Sequence, residues 1–184
     1  MNNEKCLVVI SGPSGCGKNT VVDELQKLHP EIEQTISATS RAKRQGESDG
    51  VDYFYLTKEQ FIEKLNHNEI LEHTNYCGNY YGTLKSEVDD RMKKNITTIL
   101  IIEVEGACNI KKIYPNSKSI FVVPPSMEIL EDRLRNRNTD DEEDIQKRLL
   151  TAKKEMTFAD NYDYQIVNDD LTECAKAIYD IIKL

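Results

Sequence analysis

The 184-residue sequence lacks the marks of a membrane protein, a secreted scaffold or a nucleic-acid binder. No apolar run approaches the ~18 residues of a membrane span. The opening Met1-Asn2-Asn3-Glu4-Lys5 has neither the basic stretch nor the long apolar stretch of a signal peptide. Five cysteines (Cys6, Cys16, Cys77, Cys108, Cys174) are scattered, odd in number and without a Cys-x-x-Cys pair. That argues against a disulfide framework or a cysteine zinc site and for a reducing cytoplasm. His29, His67 and His73 do not stand at metal-ligand spacing. Positive charge is short, 24 Lys and Arg against 32 Asp and Glu, a net −8. Nucleic-acid backbones demand a net basic face, so no such partner is expected, although local basic clusters can hold small anions. There is no internal repeat, low-complexity tract or Gly/Ser linker. What remains, 39% apolar and 30% charged residues, suits one globular domain.

Apolar runs of strand length alternate with segments of helical period. Cys6–Ile10 is a continuous apolar run, the mark of a strand buried on both faces. Val21, Val22, Leu25 and Leu28 then fall at helical spacing, closed by His29-Pro30. Between Ile36 and Asn95 the pattern changes. Val51–Leu56 reads as an aromatic strand after an Asp49-Gly50 turn, and Thr57 to Gln60 as a capping box. Short strands are expected at Ile70–Asn75 and Asn79–Tyr81, and a helix carrying Leu84, Val88 and Met92. The alternation then resumes: strand Thr97–Val104, helix Ala107–Ile113, strand Ser119–Val123, a helix capped by Ser126, a helix led by the acids Asp140–Asp144, strand Tyr164–Val167, and a last helix opened by Asp170. The fold class is α/β, a parallel sheet covered by helices on both faces, with a small mixed insert.

Between the first strand and helix stands Gly12-Pro13-Ser14-Gly15-Cys16-Gly17-Lys18-Asn19-Thr20. This is the phosphate-binding G-x-x-x-x-G-K loop in the context it requires. Its glycines let main-chain N–H groups surround phosphate oxygens, the helix N-terminus adds partial positive charge, and Lys18 adds a full cation. Where a Ser or Thr normally follows the lysine stands Asn19, with Thr20 next, so either of them, directly or through water, is the candidate contact to magnesium. Further on, Arg41 and Arg44 supply guanidinium forks suited to a second phosphate, and Tyr53 a neutral donor.

Taken together, G-P-S-G-C-G-K, S-A-T-S-R-A-K-R, G-V-D-Y-F, N-E-I-L-E, G-N-Y-Y-G-T, I-E-V-E-G, R-L-R-N-R and I-V-N-D-D resemble the guanylate kinases over nearly the whole chain. The resemblance implies ATP as phosphoryl donor, Mg2+, and GMP, with dGMP, as acceptor. By it, Glu72 reads the guanine edge, and Thr83 and Ser37 line the guanine pocket. A helix cap before Leu84 is the alternative role for Thr83, and the two roles are compatible. Arg41, Arg44, Tyr53 and Tyr81 match the clamp on the GMP phosphate. Arg133, Arg137 and Arg148 match lid arginines that close on the triphosphate, and Arg137 and Asn168 neighbours of the ATP base. Glu103 matches an acid at a strand end near magnesium and GMP, while Ile101 replaces a second one.

The resemblance divides the chain into a core (1–36, 96–125, 160–184), a GMP-binding insert (37–95) and a lid with flanking helices (126–159). Two other readings remain open at this level. One is a non-catalytic module that binds phosphopeptides with the same arginine-tyrosine pocket. The other is a kinase for a different monophosphate. The intact loop around Lys18 weighs against the first, and Glu72 with Thr83 against the second.

Overall fold

The computed structural model describes residues 6–76, 78–136 and 142–184. The chain runs β1 (Leu7–Ser11), α1 (Lys18–Leu28), β2 (Ile32–Gln34), β3 (Ser37–Thr39), β4 (Phe54–Tyr55), α2 (Lys58–Asn66), β5 (Ile70–Tyr76), β6 (Asn79–Leu84) and α3 (Lys85–Lys93). It continues through β7 (Thr97–Ile101), α4 (Val104–Ile113), β8 (Lys118–Val123), α5 (Met127–Arg135), α6 (Glu142–Met156), β9 (Tyr164–Val167) and α7 (Leu171–Lys183). No helix among the described residues is long and apolar enough to cross a membrane.

Five strands form one parallel sheet in the order β2-β7-β1-β8-β9. The apolar run of β1 is buried on both faces as its composition requires. Val8 and Ile10 face a layer with Val21, Val22 and Leu25 of α1 and Ala175 and Ile178 of α7. Leu7 and Val9 face a layer with Val88 of α3 and Ala107 and Ile110 of α4. Because all five strands run the same way, the segments after β1, β7, β8 and β9 emerge along one edge. The chain steps from β7 across β1 to β8, so a crevice opens at that edge beside β1, where α/β sheets bind ligands.

The insert is a second sheet, β4-β3-β6-β5, with β3 and β5 antiparallel to β6 and β4 parallel to β3. One face is closed by α2, whose Phe61 is buried and stacks on Tyr80 at 5.3 Å. The capping box at Thr57 is formed in both directions, and Ser126 and Asp170 cap α5 and α7. Each such cap is worth about 1 kcal/mol.

Four expectations change. Val51–Leu56 is a strand only at Phe54–Tyr55, because residues before it fold into a knot in which the Ser48 amide donates to Asp52 and the Val51 and Asp52 amides to the Ser48 carbonyl. Short polar side chains here outcompete ladder bonds. The strand expected over Thr97–Val104 stops at Ile101, and its helix starts a turn early, at Val104 instead of Ala107, with Glu103 in the capping position. Asn79–Tyr81 extends to Leu84. β2 and β3 were not expected; three residues each, and small or polar in β3, they carry no hydrophobic period.

Candidate active site

The loop from Gly12 to Gly17 leaves the C-terminal end of β1 at the crevice edge. A side chain at Gly12 would collide with the Val122 carbonyl of β8, and φ there is +148°. Gly17 caps α1 in the left-handed region, at φ 91°. A Cβ on it would stand 2.5 Å from the Asn168 amide nitrogen. Asn168, expected beside the ATP base, is buried and gives that amide to the Cys16 carbonyl at 2.7 Å. The Arg133 guanidinium donates to the Cys16 and Asn168 carbonyls at 3.4 and 2.9 Å, so a residue of α5 and the turn after β9 brace the loop from outside. Lys18 lies across the loop, donating to the Gly12 and Pro13 carbonyls at 2.5 and 3.2 Å.

Among the described helices α1 alone has no acidic residue in its first turn, and no side chain caps it. Its N–H groups and partial positive charge are left for an external anion. Asn19 and Thr20 are exposed in that turn, and Ser14 and Gly15 of the loop are half-buried. The Cys16 thiol is buried, and burial pushes its pKa up despite Lys18 nearby, which keeps it protonated and unreactive.

The residues expected to hold the acceptor come together through strand register. Ser37 of β3 pairs with Thr83 of β6, and Thr83 with Glu72 of β5. Directly opposed residues share a face, so the three form one row across the insert sheet. Tyr81 lies two residues before Thr83 on the same strand and therefore on the same face. Glu72 and Thr83 are buried, and the Thr83 hydroxyl donates to Glu72 Oε1 at 2.7 Å. Thr83 is thus not the helix cap: Leu84 holds that position, with no side-chain bond. Burial pushes the Glu72 carboxyl up to about 7; the Thr83 hydrogen bond opposes this and the charge of Glu103 adds to it.

Arg41 and Tyr53 meet at the end of the same row. The guanidinium lies 5.6 Å from the Tyr53 ring centre and 5.8 Å from that of Tyr55, and Tyr53 packs edge-on to Tyr81 at 6.1 Å. Arg44 is exposed on the same loop.

Two residues of this centre escaped the sequence reading. Glu47 takes both ends of the Arg41 fork, at 2.7 and 3.0 Å, and accepts from the Tyr55 hydroxyl and the Arg44 amide, each at 2.8 Å. These partners hold its carboxyl down to about 2. The second is Glu155, near the end of α6. Its Oε2 is buried without a hydrogen-bond partner. Burial, then the charge of Glu103, push it up to about 7, while Lys18 and the Ser14 amide act the other way. An acid three residues after Ala152, beside the apolar stripe Ile145, Leu149, Ala152 and Met156, was the available signal. Glu103, expected at a strand end, is an exposed residue at the start of α4. Ile101 packs against the α1–α7 layer. Arg148 is half-buried on α6, and Arg137 lies outside the described residues.

The guanylate kinase family model matches residues 4–184. A guanylate kinase of Prochlorococcus marinus (strain MIT 9312) is 44% identical over 183 residues, covering 100% of both chains. One from Carboxydothermus hydrogenoformans is 47% identical over 165 residues, covering 90% of this chain and 81% of the relative. The crystal structure of guanylate kinase from Anaplasma phagocytophilum superposes with a TM-score of 0.78 at 32% identity, over 99% of this chain and 86% of that one.

Proposed function

The chain belongs to the guanylate kinase family, and from that premise we propose that it transfers the γ-phosphoryl group of ATP to GMP, and to dGMP, through the residues described above. The observation that carries the reading is the row Ser37–Thr83–Glu72, a buried carboxylate with a hydroxyl beside it. Guanine presents N1–H and an exocyclic amine side by side, and an ionised carboxylate accepts from both. Adenine has no such pair and would leave the carboxylate unpaired, a loss of roughly a thousandfold or more in discrimination. As the ring donors engage Glu72, the single proton of the Thr83 hydroxyl is released to face the guanine O6.

Arg41, Arg44, Tyr53 and Tyr81 hold the GMP phosphate. Gly12, Pro13, Ser14, Gly15, Cys16, Gly17 and Lys18 hold the ATP phosphates, with Asn168 fixing the loop behind them. Arg133, Arg137 and Arg148 neutralise charge on the group in flight, and closure of the 126–159 region excludes water as a competing acceptor. The protein forms no covalent bond to phosphate; it aligns two anions in line. The buried, unpartnered Glu155 oxygen, with Glu103 beside it, is an oxygen-donor set that fits a hard divalent cation. Glu103 and Glu155, with Asn19 or Thr20, would hold Mg2+, directly or through water. When bound, the ion neutralises phosphate charge. A reducing cytoplasm is the compartment proposed for this reaction, and the scattered cysteines support it.

A coupled ADP-release assay across GMP, dGMP, AMP, CMP and UMP tests the reading. Turnover with GMP and dGMP is expected to exceed the others by about a thousandfold. GMP no better than AMP would end the guanine assignment, and failure to bind ATP would favour the phosphopeptide module.

A further inference from the structure

The Glu72 carboxylate lies against the first turn of α4, and the residue it meets there is Gly106. A Cβ on Gly106 would overlap Glu72 Oε2 and stand 3.1 Å from Cδ and 3.3 Å from Cγ. All three nearest atoms therefore belong to one side chain. Gly106 is buried in a regular helix and is absent from the residues with positive φ, so its backbone does not require glycine. Glycine weakens a helix interior relative to alanine, so the helix does not benefit from it either. Gly82, the other glycine close to this residue, differs: a Cβ there would stand 2.5 Å from the Glu72 main-chain oxygen, a contact that fixes the strand and not the carboxylate. The head group is thus set from two sides, Oε1 by the Thr83 hydroxyl and Oε2 by the space over Gly106.

We propose that Gly106 is a specificity-determining positioning residue: the room left by its missing side chain sets where the Glu72 carboxylate sits, and so whether both guanine donors meet an oxygen. The proposal rests on the reading of Glu72 as the guanine contact. GMP offers N1–H and the exocyclic amine, whereas IMP offers N1–H alone. A methyl group at position 106 pushes the carboxylate off its site, and the two-point contact to GMP suffers more than the one-point contact to IMP.

Calorimetric titration of the full chain with GMP, IMP and ATP, together with thermal melting, tests this in Gly106→Ala, Glu72→Gln, Glu72→Asp and the double variant Gly106→Ala/Glu72→Asp. Gly106→Ala is expected to weaken GMP about tenfold or more, shrink the preference for GMP over IMP, and leave ATP within about twofold. Its melting temperature should not fall, since alanine favours the helix. Aspartate, one methylene shorter, should cost less in the Gly106→Ala background than in the parent chain. Unchanged GMP affinity in Gly106→Ala would overturn the proposal, as would equal losses for GMP and IMP with a lowered melting temperature. If Glu72→Gln keeps the full preference for GMP over IMP, the reading of Glu72 itself falls, and the proposal with it.

Discussion

Around Lys18 main chain supplies an uncapped helix end and the carbonyls that hold the lysine in place, with Asn168 and Arg133 bracing the loop. Around Arg41 and Glu72 they are side chains carried on strands of a separate sheet. A main-chain cradle depends on conformation and fits any polyphosphate of the right length. A side-chain row depends on register and can read the edge of one base. The proposed division, donor held by backbone and acceptor by side chains, puts selectivity on the acceptor, which is where a monophosphate kinase needs it.

The largest effect expected from breaking this division is at Lys18. Lys18→Ala removes the only full charge inside the loop and should lower kcat about a thousandfold, with GMP affinity within about twofold of the parent. Rapid-quench or coupled kinetics and GMP titration measure the two separately. A parallel loss of GMP binding would mean that the two regions are not independent.

The same contrast explains what could be read from the sequence. The loop is contiguous, its glycines are needed by Gly12 against Val122 and Gly17 against Asn168, and the flanking strand and helix were plain from periodicity. The acceptor row draws on residues from Ser37 to Thr83, and only the combined resemblance joined them. β3 itself was invisible, because Ser37-Ala38-Thr39 has no hydrophobic period and forms a strand through pairing with β6. Glu47 and Gly106 each act through another residue, and such a role exists only in three dimensions; Glu155 is marked only by its burial beside the loop, which the helical period of α6 does not show.

A smaller effect belongs to Glu47. Four hydrogen bonds make it the anchor of Arg41, so it sharpens the acceptor side without reading the base. Glu47→Gln keeps the shape but loses the charge that orients both ends of the fork. KM for GMP should rise about tenfold, with GMP-over-AMP selectivity and KM for ATP little changed. A change in base selectivity would show that the phosphate clamp and the guanine row are one unit.

The smallest expected effect is one of pH. Burial and the charge of Glu103 raise the Glu72 carboxyl to about 7, against the hydrogen bond from Thr83. Only the ionised form accepts from both guanine donors, so GMP binding strengthens as pH rises through this value. KM for GMP should fall by up to about tenfold between pH 6 and 8. Stability of the free protein runs the other way. The folded value lies above the 4.5 of an ordinary glutamate, so this group's contribution is full below that pH and is lost as pH rises through 7. Glu72→Gln should flatten both trends while leaving the titration of the GMP phosphate, second pKa about 6, as the residual slope. The donor side has a carboxylate of its own, Glu155, pushed up to about 7 beside Lys18 and the Ser14 amide, but Glu72→Gln does not touch it, and KM for ATP in that variant should follow the parent chain at every pH. An unaltered GMP profile in Glu72→Gln would show that the buried carboxylate does not bind the base in its charged form, and the acceptor side would then owe its selectivity to shape alone.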